Sequence, residues 1–160
     1  MSILPDTIIS LILVELSEPE ANALRLVAVR LSPQGEPTPN PDMPQITGVA
    51  LLPTPGASAI EITWDLTIAY VVLNESYAVF RDDLPKPEKN LELRPDPVLD
   101  TFIAKQTFAT QEFPGPFKTW AFYSENHVVL VASTSEPAIR EIDLDPSWLD
   151  KPRPSMFVRS

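Results

Sequence analysis

The chain has 160 residues, 44% of them hydrophobic, and its 12 Lys and Arg against 22 Asp and Glu leave a formal net charge of -10. That length suits one domain around a single core, and such charge repels both nucleic-acid phosphates and anionic lipid, so nucleic acid and membrane surfaces are disfavoured as partners. Cysteine is absent, which removes disulfides, thiolate nucleophiles, zinc ribbons and iron–sulfur clusters together.

Nineteen prolines stand against four glycines. Proline can neither donate to a sheet ladder nor sit inside a helix, so the prolines mark loops, edges and element starts. The segments between them are rich in branched and aromatic residues, which favour strands. The first, Thr7 to Ser17, contains the apolar run Ile8 to Val14. No Lys or Arg precedes this run and Asp6 and Glu15 flank it, unlike a secretion signal. It is also well short of the roughly 20 residues that cross a bilayer. A cytoplasmic location is therefore expected. With Ala23 to Ser32, across the polar turn around Pro19 and Asn22, this segment is expected to form an antiparallel hairpin.

Five prolines then fall between Pro33 and Pro44, and a stiff extended loop is expected there. A third strand is expected over Ile46 to Leu52. The longest candidate follows, Ala59 to Asn74. Ile60, Ile62, Trp64 and Leu66 alternate with Glu61, Thr63, Asp65 and Thr67, which gives one buried and one wet face. From Ile68 both faces turn apolar, consistent with a strand that runs from a sheet edge into a covered region through a bulge. Tyr77 to Asp83 is expected to return antiparallel, and Leu91 to Leu93 to form a short edge strand.

Asp96 to Phe108 is the best helix candidate. Asp96 can cap it, Pro97 suits the first helical position, and Val98, Leu99, Phe102, Ile103 and Lys105 fall at helical spacing. Phe117 to Thr134 reads as a second hairpin turning at Ser124 to Asn126. Ala138 to Leu144 is a last strand and the stretch from Asp145 to Asp150 a capped helical turn. The whole describes a mainly β protein, an antiparallel sandwich or barrel of about eight strands with one short helix. Residues 1–150 form a single domain in this reading, and 151–160 a tail carrying Met156 and Phe157.

Chemistry is hard to place on this pattern. His127, the only histidine, follows a turn at the start of an apolar strand. Ser124 and Glu125 lie too close in sequence to build a triad with it, and no G-x-S-x-G elbow occurs. One histidine and no cysteine leave no zinc or copper ligand set. Asp82 with Asp83, and Asp143 with Asp145, offer oxygen ligands without an EF-hand pattern and read as solvated loop acids. Glu61 and Asp65 share a strand face roughly 13 Å apart, too far for a glycosidase pair. Phosphate-cradling glycine motifs are absent. No catalytic residue, metal or cofactor is assigned.

The aromatics remain. Trp64, Tyr70, Trp120, Phe122 and Tyr123 fall on strands, where aromatic side chains are mostly core. Were a barrel hollow, Trp64, Tyr70, Trp120 and Phe122 would line its ligand cavity. The leading expectation is a non-catalytic β domain acting through contact with a protein partner, or through self-association as a homodimer. A lipocalin-like carrier of a small apolar ligand and a carboxylate-based hydrolase are the alternatives.

Overall fold

A computed structural model describes residues 4–40, 43–78 and 85–150. Nine strands and one α-helix occur among them, arranged as two antiparallel sheets in a sandwich that is partly closed along one rim. The first sheet places β1 (Leu11–Ser17), β2 (Leu24–Pro39), β4 (Ala59–Trp64) and β9 (Ala138–Ile142) side by side, with β3 (Thr47–Pro53) also paired to β2. The second sheet runs β5 (Thr67–Asn74), β8 (His127–Ser133), β7 (Lys118–Tyr123), β6 (Leu91–Leu93).

Strand parity sorts the apolar residues between the faces. Leu11 and Leu13 of β1, Leu24, Leu26 and Ala28 of β2, and Ile60, Ile62 and Trp64 of β4 point inward and meet Phe122, Val129 and Val131 of the second sheet. The alternate residues, Ile12, Val27, Val29 and Ala59, face outward. That outer face is covered by Leu144, Trp148 and Leu149, which follow β9 and include a 3-10 turn at Pro146–Trp148. The helix α1 (Pro97–Gln106) lays Leu99 and Ile103 against Ile68, Ala69 and Ala132 on the outer face of the second sheet. Its Asp96 side chain accepts a hydrogen bond from Leu99 N–H at 2.8 Å, with Pro97 at the first turn, as the local sequence implies.

Four expectations need correcting. The proline-rich stretch is strand as far as Pro39, not loop, and pairs with β3 from Leu31 opposite Pro53 to Pro39 opposite Thr47. β3 and β4 lie in line along one side of β2, so the far half of β2 has a partner on one side only. Missing proline N–H groups are tolerated on such an edge. The register shifts between Gln34 and Thr38, where Gly35 has φ of 84°.

The segment Ala59 to Asn74 is two strands, not one. The chain leaves the first sheet at Trp64 and enters the second at Thr67, leaving Asp65 and Leu66 exposed at the crossing. Ser133 Oγ donates to the Leu66 carbonyl at 2.6 Å and the Thr67 N–H donates to the Asn22 carbonyl at 2.7 Å, which fixes the corner. The outward face of β4 is not wet at Glu61, which is only 3% exposed. Finally, Tyr77 ends a 3-10 turn (Glu75–Tyr77) rather than starting a return strand. Ala78 caps that turn, and residues 79–83 of the expected strand, with Asp82 and Asp83, lie outside the described residues, as does the tail with Met156 and Phe157.

Candidate interaction surface and rim pocket

Trp64 and Phe122 have no exposed surface, and Tyr70 and Trp120 pack against the same inter-sheet cluster. All four candidate ligand-lining residues thus belong to one inter-sheet cluster, Trp64 and Phe122 within it and the half-buried Tyr70 and Trp120 against it. The Tyr70 hydroxyl reaches out of it to donate to Glu18 at 2.8 Å. Tyr123 faces the other way, outside the second sheet with Ala121 and Val128, and burial pushes its phenol up to about 12.

His127 opens β8. Ser124 Oγ bonds its backbone, donating to the His127 carbonyl at 2.8 Å and accepting from the His127 N–H at 3.1 Å. The imidazole Nδ1 is buried without a hydrogen-bond partner among the described residues, and desolvation lowers its pKa. The serine and the histidine therefore meet through the main chain, in the geometry of a tight turn. Asp145 is likewise occupied locally, accepting from the Ser147 N–H at 2.9 Å as the cap of its 3-10 turn. Among the described residues no three metal-ligating side chains cluster.

Glu61 sits at the centre of an ion-pair ladder crossing four strands on the outer face of the first sheet. Arg25 of β2 donates from Nε to one carboxylate oxygen at 2.6 Å, and Arg140 of β9 donates to the other. Arg25 also reaches Glu15 of β1, which in turn accepts from Trp148 Nε1 at 3.1 Å. The hydrogen bond from Arg140, ahead of that from Arg25, holds the Glu61 carboxyl below its usual range, while burial opposes both. This carboxylate is an acceptor locked between two guanidiniums. Asp65, four residues on, is exposed at the corner.

Sequence reasoning missed the closed rim. Asn90, only 2% exposed, uses its side chain as a strand would use its backbone: Oδ1 accepts from the Ile9 N–H and Nδ2 donates to the Ile9 carbonyl, both at 2.8 Å. Asn126 does the same for Leu13, at 3.0 and 2.9 Å. Between them the Glu125 N–H donates to the Leu11 carbonyl at 2.8 Å. Residues 9, 11 and 13 present their main-chain groups to one side, and each meets a group from the segments that flank the second sheet's strands, Asn90 just before β6 and Glu125 and Asn126 in the β7–β8 turn. Beside this seam lies an open cavity of about 430 Å3, with Ile8, Ile9 and Val128 as apolar lining and Asn90, Tyr123 and Ser124 as polar lining.

The largest exposed apolar side chains lie elsewhere. On α1 and the connection to β7, Val98 is 71%, Phe102 52%, Phe108 95% and Phe113 69% exposed. On β5, Val71, Val72 and Leu73 are 37 to 41% exposed. Helical spacing alone had grouped Val98 and Phe102 with Leu99 and Ile103. The sheet takes only the latter pair. Among the described residues no helix is long and apolar enough to cross a membrane.

Comparisons with protein-family models, with curated proteins and with solved structures find no match.

Proposed function

We propose that this chain is a non-catalytic β domain that works through protein–protein contact, using α1 and the connection to β7 as its docking surface. The exposure of Phe102, Phe108 and Phe113 carries this reading. Phe122, a few residues further on, is fully buried and Phe117 is half-buried against the Leu99–Ile103 cluster, so nearby structure can take up phenylalanine. Burying a side chain of this kind is worth about 1.5–3 kcal/mol, and three of them left in water offer a partner the aromatic anchors typical of binding hot spots. With a net charge of -10, a partner with an apolar recess and a basic rim fits best.

The test compares the wild-type chain with a Phe108→Ser/Phe113→Ser double variant. Both positions are exposed, so the variant is expected to melt within a degree or two of wild type. Affinity capture from host extract, quantified against wild type, is expected to show one or more proteins reduced at least tenfold. An identical capture profile for the two chains defeats the reading. The rim cavity supports a second reading, a site for a small apolar ligand, because its volume falls in the range of ligand pockets. Thermal-shift screening with small apolar acids and alcohols tests it. A hit whose shift survives replacement of Ser124 and Val128 lining groups by larger side chains counts against the cavity.

A further inference from the structure

The cavity beside the β1 seam is assembled from four separate stretches of the chain. Ile8 and Ile9 precede β1, Glu75 opens the turn after β5, Lys86 and Asn90 precede β6, and Tyr123, Glu125 and Val128 belong to the β7–β8 hairpin. Asn90, Ser124 and Val128 form a buried floor. Its polar groups are already engaged, the Asn90 amide with the main chain of Ile9 and Tyr123, and the Ser124 hydroxyl with that of His127. Burial pushes the Tyr123 phenol up to about 12, so the floor carries no charge either. Sugars and nucleotides fit such a floor badly, because their many polar groups would give up water without finding partners.

Charge lies at the rim, and it is unbalanced. The Glu75 N–H donates to the Asn126 carbonyl at 3.2 Å, which sets residue 75 beside the turn that carries Glu125. Both side chains are half-buried, and among the described residues neither carboxylate has a hydrogen-bond or ion-pair partner. Lys86 is the one cation among the described lining residues. The next two cations along the chain, Lys89 and Arg94, are paired with Asp6 and Glu92. Two carboxylates against one ammonium, in a chain of net charge -10, favour a cation at this rim.

We propose that the rim cavity binds a small organic amine, its hydrocarbon body against Ile8, Ile9 and Val128 and its ammonium group between Glu75 and Glu125. This rests on the second reading above, that the cavity takes a small apolar ligand, and adds the charge of its head. An acid of the same shape meets two carboxylates, and a neutral alcohol leaves them without a counter-ion.

Phenethylamine, phenethyl alcohol and hydrocinnamate share one hydrocarbon body and carry a positive, a neutral and a negative head. Each is titrated into the full chain at low salt, and the backbone amide shifts of Ile9, Ser124 and Val128 are followed. The amine is expected to bind about threefold more tightly than the alcohol and about tenfold more tightly than the acid, as two half-buried carboxylates near solvent allow. High salt should narrow both ratios. Glu75→Gln/Glu125→Gln should bring the amine to the level of the alcohol, whose own affinity is unchanged. The salt comparison uses the wild-type chain, so it stands even if the double substitution disturbs the fold. Equal binding of the three probes, or tightest binding of the acid, overturns the inference and leaves the apolar-ligand reading intact. An amine preference that survives both glutamine substitutions, or that moves amides only outside the cavity, overturns it too. No shift with any probe removes both.

Discussion

β1 and β5 are the two most apolar edge strands of this protein, and their sequences look alike: Leu-Ile-Leu-Val in one, Tyr-Val-Val-Leu in the other. Their surroundings differ completely. The free side of β1 is stitched to the second sheet by two asparagine side chains and one backbone N–H. The side of β5 away from β8 is met by the β1–β2 turn at its start, where the Thr67 N–H donates to the Asn22 carbonyl and the Tyr70 hydroxyl to Glu18, but no described strand pairs with it from Val71 to Asn74. Buried main-chain groups must be paired somewhere, and whether a strand's edge is closed depends here on Asn90 and Asn126, 81 and 113 residues from the groups they bond. An apolar run therefore states that a strand exists but not which of its sides is spoken for.

Loss of the core should affect both edges alike and so serves as the reference. Leu11 and Leu13 of β1 and Tyr70 of β5 lean on the cluster that contains Trp64. Trp64→Ala is expected to cost about 3–5 kcal/mol, enough to unfold much of a marginal domain. A melting temperature within a couple of degrees of wild type would show that Trp64 does not occupy the inter-sheet core.

Asn90→Ala should separate the two edges. It strands the Ile9 N–H and the carbonyls of Ile9 and Tyr123, at about 1–3 kcal/mol in total if water reaches them. Proteolysis is expected to begin before Leu11, with β5 unaffected. Equal loosening of β5 would mean that the rim is not an independent seam.

The ion-pair ladder yields a smaller effect, confined to the first sheet. The Glu61 carboxyl is held below its ordinary value of 4.5 in the folded state, so between the two values the unfolded chain binds more protons. The stabilisation is complete above that ordinary value and is lost as pH falls through the folded one. Glu61→Gln is expected to cost about 1–2 kcal/mol at neutral pH, the lower range reflecting the solvent around Arg140, and to flatten the acid limb of the stability curve. An acid limb unchanged by the substitution would remove Glu61 as its source.

His127 gives the weakest pH signal. Its pKa is lowered by burial, so stability that is present above its ordinary value of 6.5 declines as pH falls below it. His127→Gln should remove this decline while leaving partner binding intact. A His127→Gln chain that folds normally yet loses binding would assign the residue a role that its unpartnered ring does not suggest.

Local physics was the legible part of the sequence. Asp96 and Pro97 specify a helix start within four residues, and Ser124 to Asn126 specify a tight turn between two runs of strand formers. Both stand as read. Long-range facts were illegible for an identifiable reason. A period of two runs from Ala59 through Thr67, so the apolar change at Ile68 signals a covered region but not that the chain has already changed sheets at Asp65. Prolines argue against a strand until topology supplies a half-open edge for β2. Glu61 reads as wet because its two arginines lie 36 and 79 residues away. The aromatic candidates Trp64 and Phe122 were legible as buried, but the Phe102, Phe108 and Phe113 surface was not, since exposure depends on what the sheet leaves uncovered.

Residue-resolved amide exchange in dilute solution bears most directly on the contrast between the two edges. Slow exchange is expected at the Ile9 and Leu13 amides, although they face away from β2, because Asn90 and Asn126 accept from them. Along β5 from Val71 to Asn74 every second amide should exchange fast, while the Thr67 amide, bonded to Asn22, should be protected. Fast exchange at Ile9 and Leu13, or uniform protection from Val71 to Asn74, would contradict a sandwich with β1 closed along its side and β5 open over its second half.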